Sequence, residues 1–123
     1  MSFNSYDNLT AVTLTIPADG VAHQLWPMIK LAMTSLSASA NPAPTCFHLF
    51  LQNDPDQNTG AGNGSLCIGN QYVSKTNAGI RLKFGDFKEL RHLNNEAISL
   101  SNLWAIATAT SGSVLLNVMA VRS

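Results

Sequence analysis

Short stretches of alternating apolar and polar residues, set apart by Gly, Asn and Pro turns, predict an all-β protein: an antiparallel β-sandwich, jelly-roll-like, with about eight strands and at most one short helix. Two further observations support that class. From Trp104 to Val121 the chain alternates in two runs around Thr110-Ser111-Gly112-Ser113, and its 123 residues suit a single domain, residues 1–123, that closes a core of its own.

The first eight residues show no apolar period and read as a possible N-terminal arm, with Phe3 and Tyr6 gaining order by packing on a neighbouring surface. Leu9 to Ile16 alternates, Val12, Leu14 and Ile16 on one side and Thr13 and Thr15 on the other, as a half-buried strand does. Pro17-Ala18-Asp19-Gly20 breaks it. Val21 to Trp26 is the expected partner strand of that turn, ending before Pro27, which cannot donate to a central ladder. In the next stretch Leu25, Ile29, Ala32 and Leu36 fall at helical spacing and Pro27 suits a first helical turn, yet Met28 to Met33 also alternates, so a short helix and a strand both stand.

Ser35 to Pro44 is rich in Ser, Ala, Asn and Pro and reads as a loop or an arm lying on a neighbour, with Asn41 and Pro42 as candidate interface residues. Cys46 to Leu51 is the next strand. Asn53 to Gly64 concentrates turn-forming residues and reads as a long exposed loop. Ser65 to Ile68 and Gln71 to Val73 are short strand pieces, Ile80 to Leu82 another, and Gly85 to Asn95 a polar segment leading to Ile98 and Leu100. The terminal run is expected to be a β-hairpin. Trp104, Ile106 and Thr108 oppose Ala105, Ala107 and Ala109 on its first strand, and Gly112 supplies a residue that tolerates positive φ. Val114, Leu116 and Val118 against Leu115, Asn117 and Met119 form the second. That strand is apolar on nearly both faces, which places it centrally in a sheet or against another subunit.

Seven basic and seven acidic residues cancel, so the chain has no electrostatic footprint for nucleic acid or an anionic membrane. Its low charge suits burial in a large assembly. The longest apolar stretches fall short of the ~20 residues needed to span a bilayer. Met1 to Asp7 lacks a basic region followed by an apolar run, so the chain is expected to be made and folded in a cytoplasm. Cys46 and Cys67 lie outside any C-x-x-C spacing and are expected as two reduced thiols facing the core.

Little points to catalysis. Asp54, Asp56 and Asn58 place oxygens at alternate positions, as a calcium loop does, but Thr59 and Ser65 stand where the EF-hand pattern needs Gly and Glu, so an Asx-rich turn is the expectation, with no metal. His23, His48 and His92 are scattered without a nucleophile or a metal-ligand spacing. Gly60-x-Gly-x-Gly64 lacks the Lys-Ser/Thr of a phosphate loop. Lys88 to His92 reads as a solvated turn or rim salt bridge. Neither a catalytic site nor a cofactor nor a small-molecule substrate is expected. Of the two tryptophans, Trp104 is expected in the core and Trp26 at an interface.

From Cys46 onward the pattern is a strand (Phe47 to Leu51), an Asp/Asn/Gly loop (Asp54 to Gly60), Leu66-Cys67-Ile68-Gly69, Val73-Ser74, Gly79-Ile80-Arg81-Leu82, Gly85, then Leu103-Trp104-Ala105-Ile106 with Val114 to Val121. This resembles small β-sandwich structural proteins of tailed bacteriophages, over about two thirds of the chain. Phe84 departs from the proline usual before Gly85. The resemblance implies a virion protein without enzymatic activity, most often a capsid decoration or cement protein that binds the major capsid protein as a homotrimer and bridges capsid subunits. It implies assembly in the host cytoplasm. The alternative is a neck or tail accessory protein acting in carbohydrate binding or host attachment, with Trp26, Tyr72 and the Asn53 to Gly64 loop as its sugar surface.

Overall fold

A computed structural model describes residues 9–36, 44–55, 64–92, 94, 96–109 and 112–121. Among the described residues the strands are β1 (Leu9–Pro17), β2 (His23–Gln24), β3 (Thr45–Cys46), β4 (His48–Asn53), β5 (Leu66–Gly69), β6 (Ile80–Leu82), β7 (Phe87–Arg91), β8 (Ile98–Ser99), β9 (Trp104–Ala107) and β10 (Ser113–Val121), with one helix, α1 (Leu25–Leu36), and a 3₁₀ turn at Leu100–Asn102. Two four-stranded antiparallel sheets, ordered β1-β10-β4-β7 and β2-β9-β5-β6, face each other, and β3 pairs with β8 in a small third sheet. The chain changes sheet at almost every principal connection. This is the winding of a jelly roll, and the all-β sandwich expected from the sequence is the fold observed.

The core follows from alternation. Val12, Leu14 and Ile16 of β1, Leu49 and Leu51 of β4, and Val114, Leu116 and Val118 of β10 point inward from the first sheet, where they meet Leu66, Ile68, Leu82, Ala105 and Ala107 of the second. Helix α1 resolves the open reading between helix and strand. Leu25, Trp26 and Ile29 lie on one stripe and are buried, with Ala32 and Met33 packed beside them, whereas alternation would have sent every second residue to solvent. Pro27 sits in the first turn, where its missing N–H leaves no gap in the ladder.

The expected terminal hairpin is corrected. Both strands exist with the predicted faces, and Gly112 has φ +79°, but β9 belongs to the second sheet and β10 to the first. The physical reason lies at Thr108. Its N–H donates to Ser65 O at 2.8 Å, and its Oγ1 accepts from Ser65 N–H at 2.8 Å, which continues the β9–β5 ladder and carries the chain away from β10. β10 instead pairs along its whole length with β1, from Ser113 opposite Pro17 to Val121 opposite Leu9, and on its other side with β4. It is central in its sheet, as its two apolar faces required.

Other expectations shift for similar reasons. In Val21 to Trp26 only His23–Gln24 is a strand, and it pairs with β9, not with β1. Gln71 to Val73 is a turn, closed by Val73 N–H donating to Asn70 O at 2.9 Å, inside the β5–β6 hairpin. The polar segment after Gly85 contains an edge strand, β7, whose charged residues suit an exposed edge. Asn53 and Asp54, read as the start of an exposed loop, are buried; the remainder of that loop through 63 lies outside the described residues except Pro55, which is exposed.

Candidate functional site

The outer face of the first sheet is an open surface four strands wide. Because side chains alternate, the register aligns Ala11, Met119, Phe50 and Glu89 in one row across the four strands, and Thr13, Asn117, Gln52 and Phe87 in the next. Thr13 Oγ1 donates to Asn117 Oδ1 at 2.8 Å, and Asn117 Nδ2 donates to Gln52 Oε1 at 3.1 Å, a polar ladder spanning β1, β10 and β4. Phe50 and Phe87 stack beside it with centroids 5.8 Å apart, and His48 lies 5.9 Å from Phe50. Phe50, Phe87, Met119 and the Thr13–Asn117–Gln52 ladder line a shallow concavity of about 560 Å³.

Its electrostatics are simple. Among the described residues of this face, charge lies at the β7 margin, where Arg91 Nε meets Glu89 Oε2 at 3.0 Å and His48 Nε2 stands 3.8 Å from the same carboxylate. The centre of the face is apolar or amide and neutral. Phe87 is 58% exposed, which leaves an aromatic edge open to a partner.

A second, smaller concavity of about 310 Å³ lies on the other sheet, lined by Asn70, Gln71, Tyr72, Asn102 and Trp104. The turn that carries Tyr72 is braced from within. Tyr72 N–H donates to Asn70 Oδ1 at 2.9 Å, and Asn77 Nδ2 donates to Tyr72 O at 3.2 Å. Arg81 adds a hydrogen bond to Lys75 O. Tyr72 is 70% exposed.

The sequence-predicted residues divide as follows. Trp26 is only 9% exposed, packed in the core with Lys30 Nζ 5.8 Å from its ring centroid. Trp104 is half-buried against Cys67, Val73 and Ile106, so it is only partly enclosed where a core position was expected. Phe3, Tyr6, Asn41 and Pro42 lie outside the described residues, as do Asp56 and Asn58. Asp54 is buried at the end of β4, and among the described residues no three His, Cys, Asp or Glu side chains converge as metal ligands. His23 Nε2 lies 3.0 Å from both carboxylate oxygens of Asp19. This contact, with the Val21 N–H that also bonds Asp19, holds the Asp19 carboxyl below its usual range. His92 rests edge-on against Phe47. Phe50, Phe87 and the Thr13–Asn117–Gln52 ladder were missed, although their alternation with Leu49, Leu51 and Val118 was the available signal.

Both cysteines are free and fully buried, in agreement with the reading of two core-facing thiols. Cys67 Sγ accepts from Arg81 Nη1 at 3.4 Å, and burial pushes the Cys46 thiol up to about 11.

No family matches the chain, and no curated protein does. Among solved structures, the chain is similar to one from Bacillus endospore appendages, described as a novel family of disulfide-linked pili. The similarity has a TM-score of 0.39 at 14% identity and covers 94% of this chain and 88% of the other. That likeness is too low to transfer fold or function.

Proposed function

We propose that this protein is a virion structural component, a capsid decoration protein that binds the major capsid protein through the outer face of its first sheet and bridges neighbouring subunits. The observation that carries the reading is that face: four strands wide, neutral at its centre, with its polar groups bonded to one another and its aromatics open. A surface of this kind suits broad contact with another folded protein, because its internal ladder leaves few groups to desolvate unpaired. The pattern from Phe47 to Val121 and the chain's zero net charge point the same way. No catalytic role is assigned.

The test is add-back to particles lacking this chain, comparing wild type with Met119→Glu and Phe50→Glu. Both side chains lie on the outer face, outside the buried core. Wild type is expected to bind and to raise the temperature at which the particles break, and the folded variants to bind at least about tenfold more weakly, as expected when a charge is buried unpaired in a contact. Equal binding by wild type and both variants would overturn the assignment of the face.

One observation favours a second reading, a carbohydrate-binding accessory protein of the neck or tail. Tyr72 and Trp104 share their concavity with three neutral amides, Asn70, Gln71 and Asn102, a combination that stacks and hydrogen-bonds a neutral sugar. Saccharide binding abolished by Tyr72→Ala, with particle binding by Met119→Glu intact, would select it over the first.

A further inference from the structure

The two edges of the first sheet are built differently. β7 carries Lys88, Glu89 and Arg91 in five residues, and charge along an edge is a common defence against pairing with another chain. β1 is nine residues long, Leu-Thr-Ala-Val-Thr-Leu-Thr-Ile-Pro, with no charge and no proline before its last position. In the second sheet the edges β2 and β6 are two and three residues long, too short to template much. Among the described strands, β1 is thus the long edge that carries no charge, with α1 packed against its inward side.

Hydrogen-bond parity tells which of its backbone groups are available. Ala18 N–H donates to Gly112 O at 2.9 Å, one step beyond Pro17 opposite Ser113 in the same register. Bonded residues alternate in an antiparallel ladder, so Thr10, Val12, Leu14 and Ile16 direct their backbone groups to β10. Asp54 N–H donating to Leu115 O gives the same parity from the far side, since it turns the odd-numbered residues of β10 to β4. Leu9, Ala11, Thr13 and Thr15 therefore direct their N–H and C=O groups away from the sheet, where no described strand lies.

We propose that β1 pairs antiparallel with β1 of a second copy about a two-fold axis through Thr13, joining two four-stranded sheets into one of eight. The register follows from parity. Thr13 lies opposite Thr13 of the second copy and Ala11 opposite Thr15, so each of these pairings joins outward-directed backbone groups to outward-directed ones, while Leu9 lies opposite Pro17, which can only accept. On the outer face the opposed side chains are Thr, Ala and Thr, which fit closely, and Thr–Thr pairs are favourable across strands. On the inner side Val12 and Leu14 are already enclosed in their own core, with α1 packed against β1, so the pairing adds backbone and outer-face contacts only. A strand set against itself repeats every charge at the axis, and β1 has none to repel. A second copy is therefore the occupant that this edge fits. The arrangement is two-fold, unlike the homotrimer implied by the family resemblance. It needs no capsid partner, so its failure would leave the proposed function standing.

Sedimentation equilibrium of the full chain, with hydrogen exchange read at single amides, tests the proposal. The expected result is a reversible monomer–dimer equilibrium, weak because a strand edge is a small contact, with the Ala11, Thr13 and Thr15 amides protected only as the dimer fills. Ala11→Pro removes an edge-facing donor that no internal bond uses, and each loss counts twice across the axis, so the dimer should weaken about ten- to hundredfold. Thr13→Cys tests the register independently of Pro. Opposed Cα atoms in such a pair lie ~5.5 Å apart, within disulfide range, so this variant should cross-link as a dimer on mild oxidation while the buried Cys46 and Cys67 do not. A wild-type chain that stays monomeric at high micromolar concentration would overturn the proposal, as would a trimer, or a dimer that Ala11→Pro leaves intact and Thr13→Cys fails to cross-link.

Discussion

Cys46 shows how a single buried atom sets a pH dependence. Its side chain is fully enclosed beside Ile98 and Leu100, and loss of solvent disfavours the thiolate, raising the thiol from an ordinary value of 9.0 to about 11. The folded state then keeps a proton that the unfolded chain gives up. The stability contributed by the neutral thiol is fully present below its ordinary value and is lost as pH rises through the folded one. Wild type should therefore lose stability relative to Cys46→Ala between about pH 9 and pH 11, with a limiting slope near ~1.4 kcal/mol per pH unit. Urea titrations of both proteins across that window check it; parallel curves would show that burial does not control this group. The inward position of Cys46 was legible in the sequence. The relative burial of Trp26 and Trp104 was not, since each lies where an element changes direction and alternation no longer says which side is in.

At the scale of elements, the two main sheets are tied at Asn53, a polar residue with 0% exposure. Its Nδ2 donates to Leu82 O of β6 at 3.0 Å and to Gly64 O at 3.2 Å, and its backbone N–H donates to Asp86 O at 3.0 Å. Strand β4 thus ends on a side chain that caps the backbone of the opposite sheet. Asn53→Ala leaves one buried and one part-buried carbonyl without this donor and should cost about 2 kcal/mol, seen as a lower urea midpoint with unchanged slope. A change under ~0.5 kcal/mol would mean that other groups satisfy those carbonyls. Composition hid this role, because Asn beside Asp and Pro reads as turn chemistry until the opposite strand is in place. The same limit explains β9 and β10. Alternation and a glycine at positive φ identify two strands and a turn, but whether the turn reverses the chain within a sheet or carries it to the facing one depends on partners distant in sequence, here Ser65 for Thr108 and β1 for β10. Strand β7 escaped notice because an edge strand tolerates the charges that otherwise mark a loop.

For the whole molecule, the sandwich class was readable from length, alternation and turn spacing, since those quantities determine how much apolar surface must be enclosed and by which period. The jelly-roll order of strands makes one sheet's outer face broad and open, while the turn carrying Val73 partly covers the other. On the proposed reading, a molecule with zero formal net charge and an open neutral face covers that face with another protein. The measurement that tests this account most directly is the number of copies of this chain in purified virions, obtained by quantitative mass spectrometry against the major capsid protein. A decoration protein follows the symmetry of the capsid lattice, so the account predicts on the order of hundreds of copies per particle, in a simple ratio to the major capsid protein. A few to tens of copies, the number a neck or tail position holds, would contradict it, as would absence from the particle.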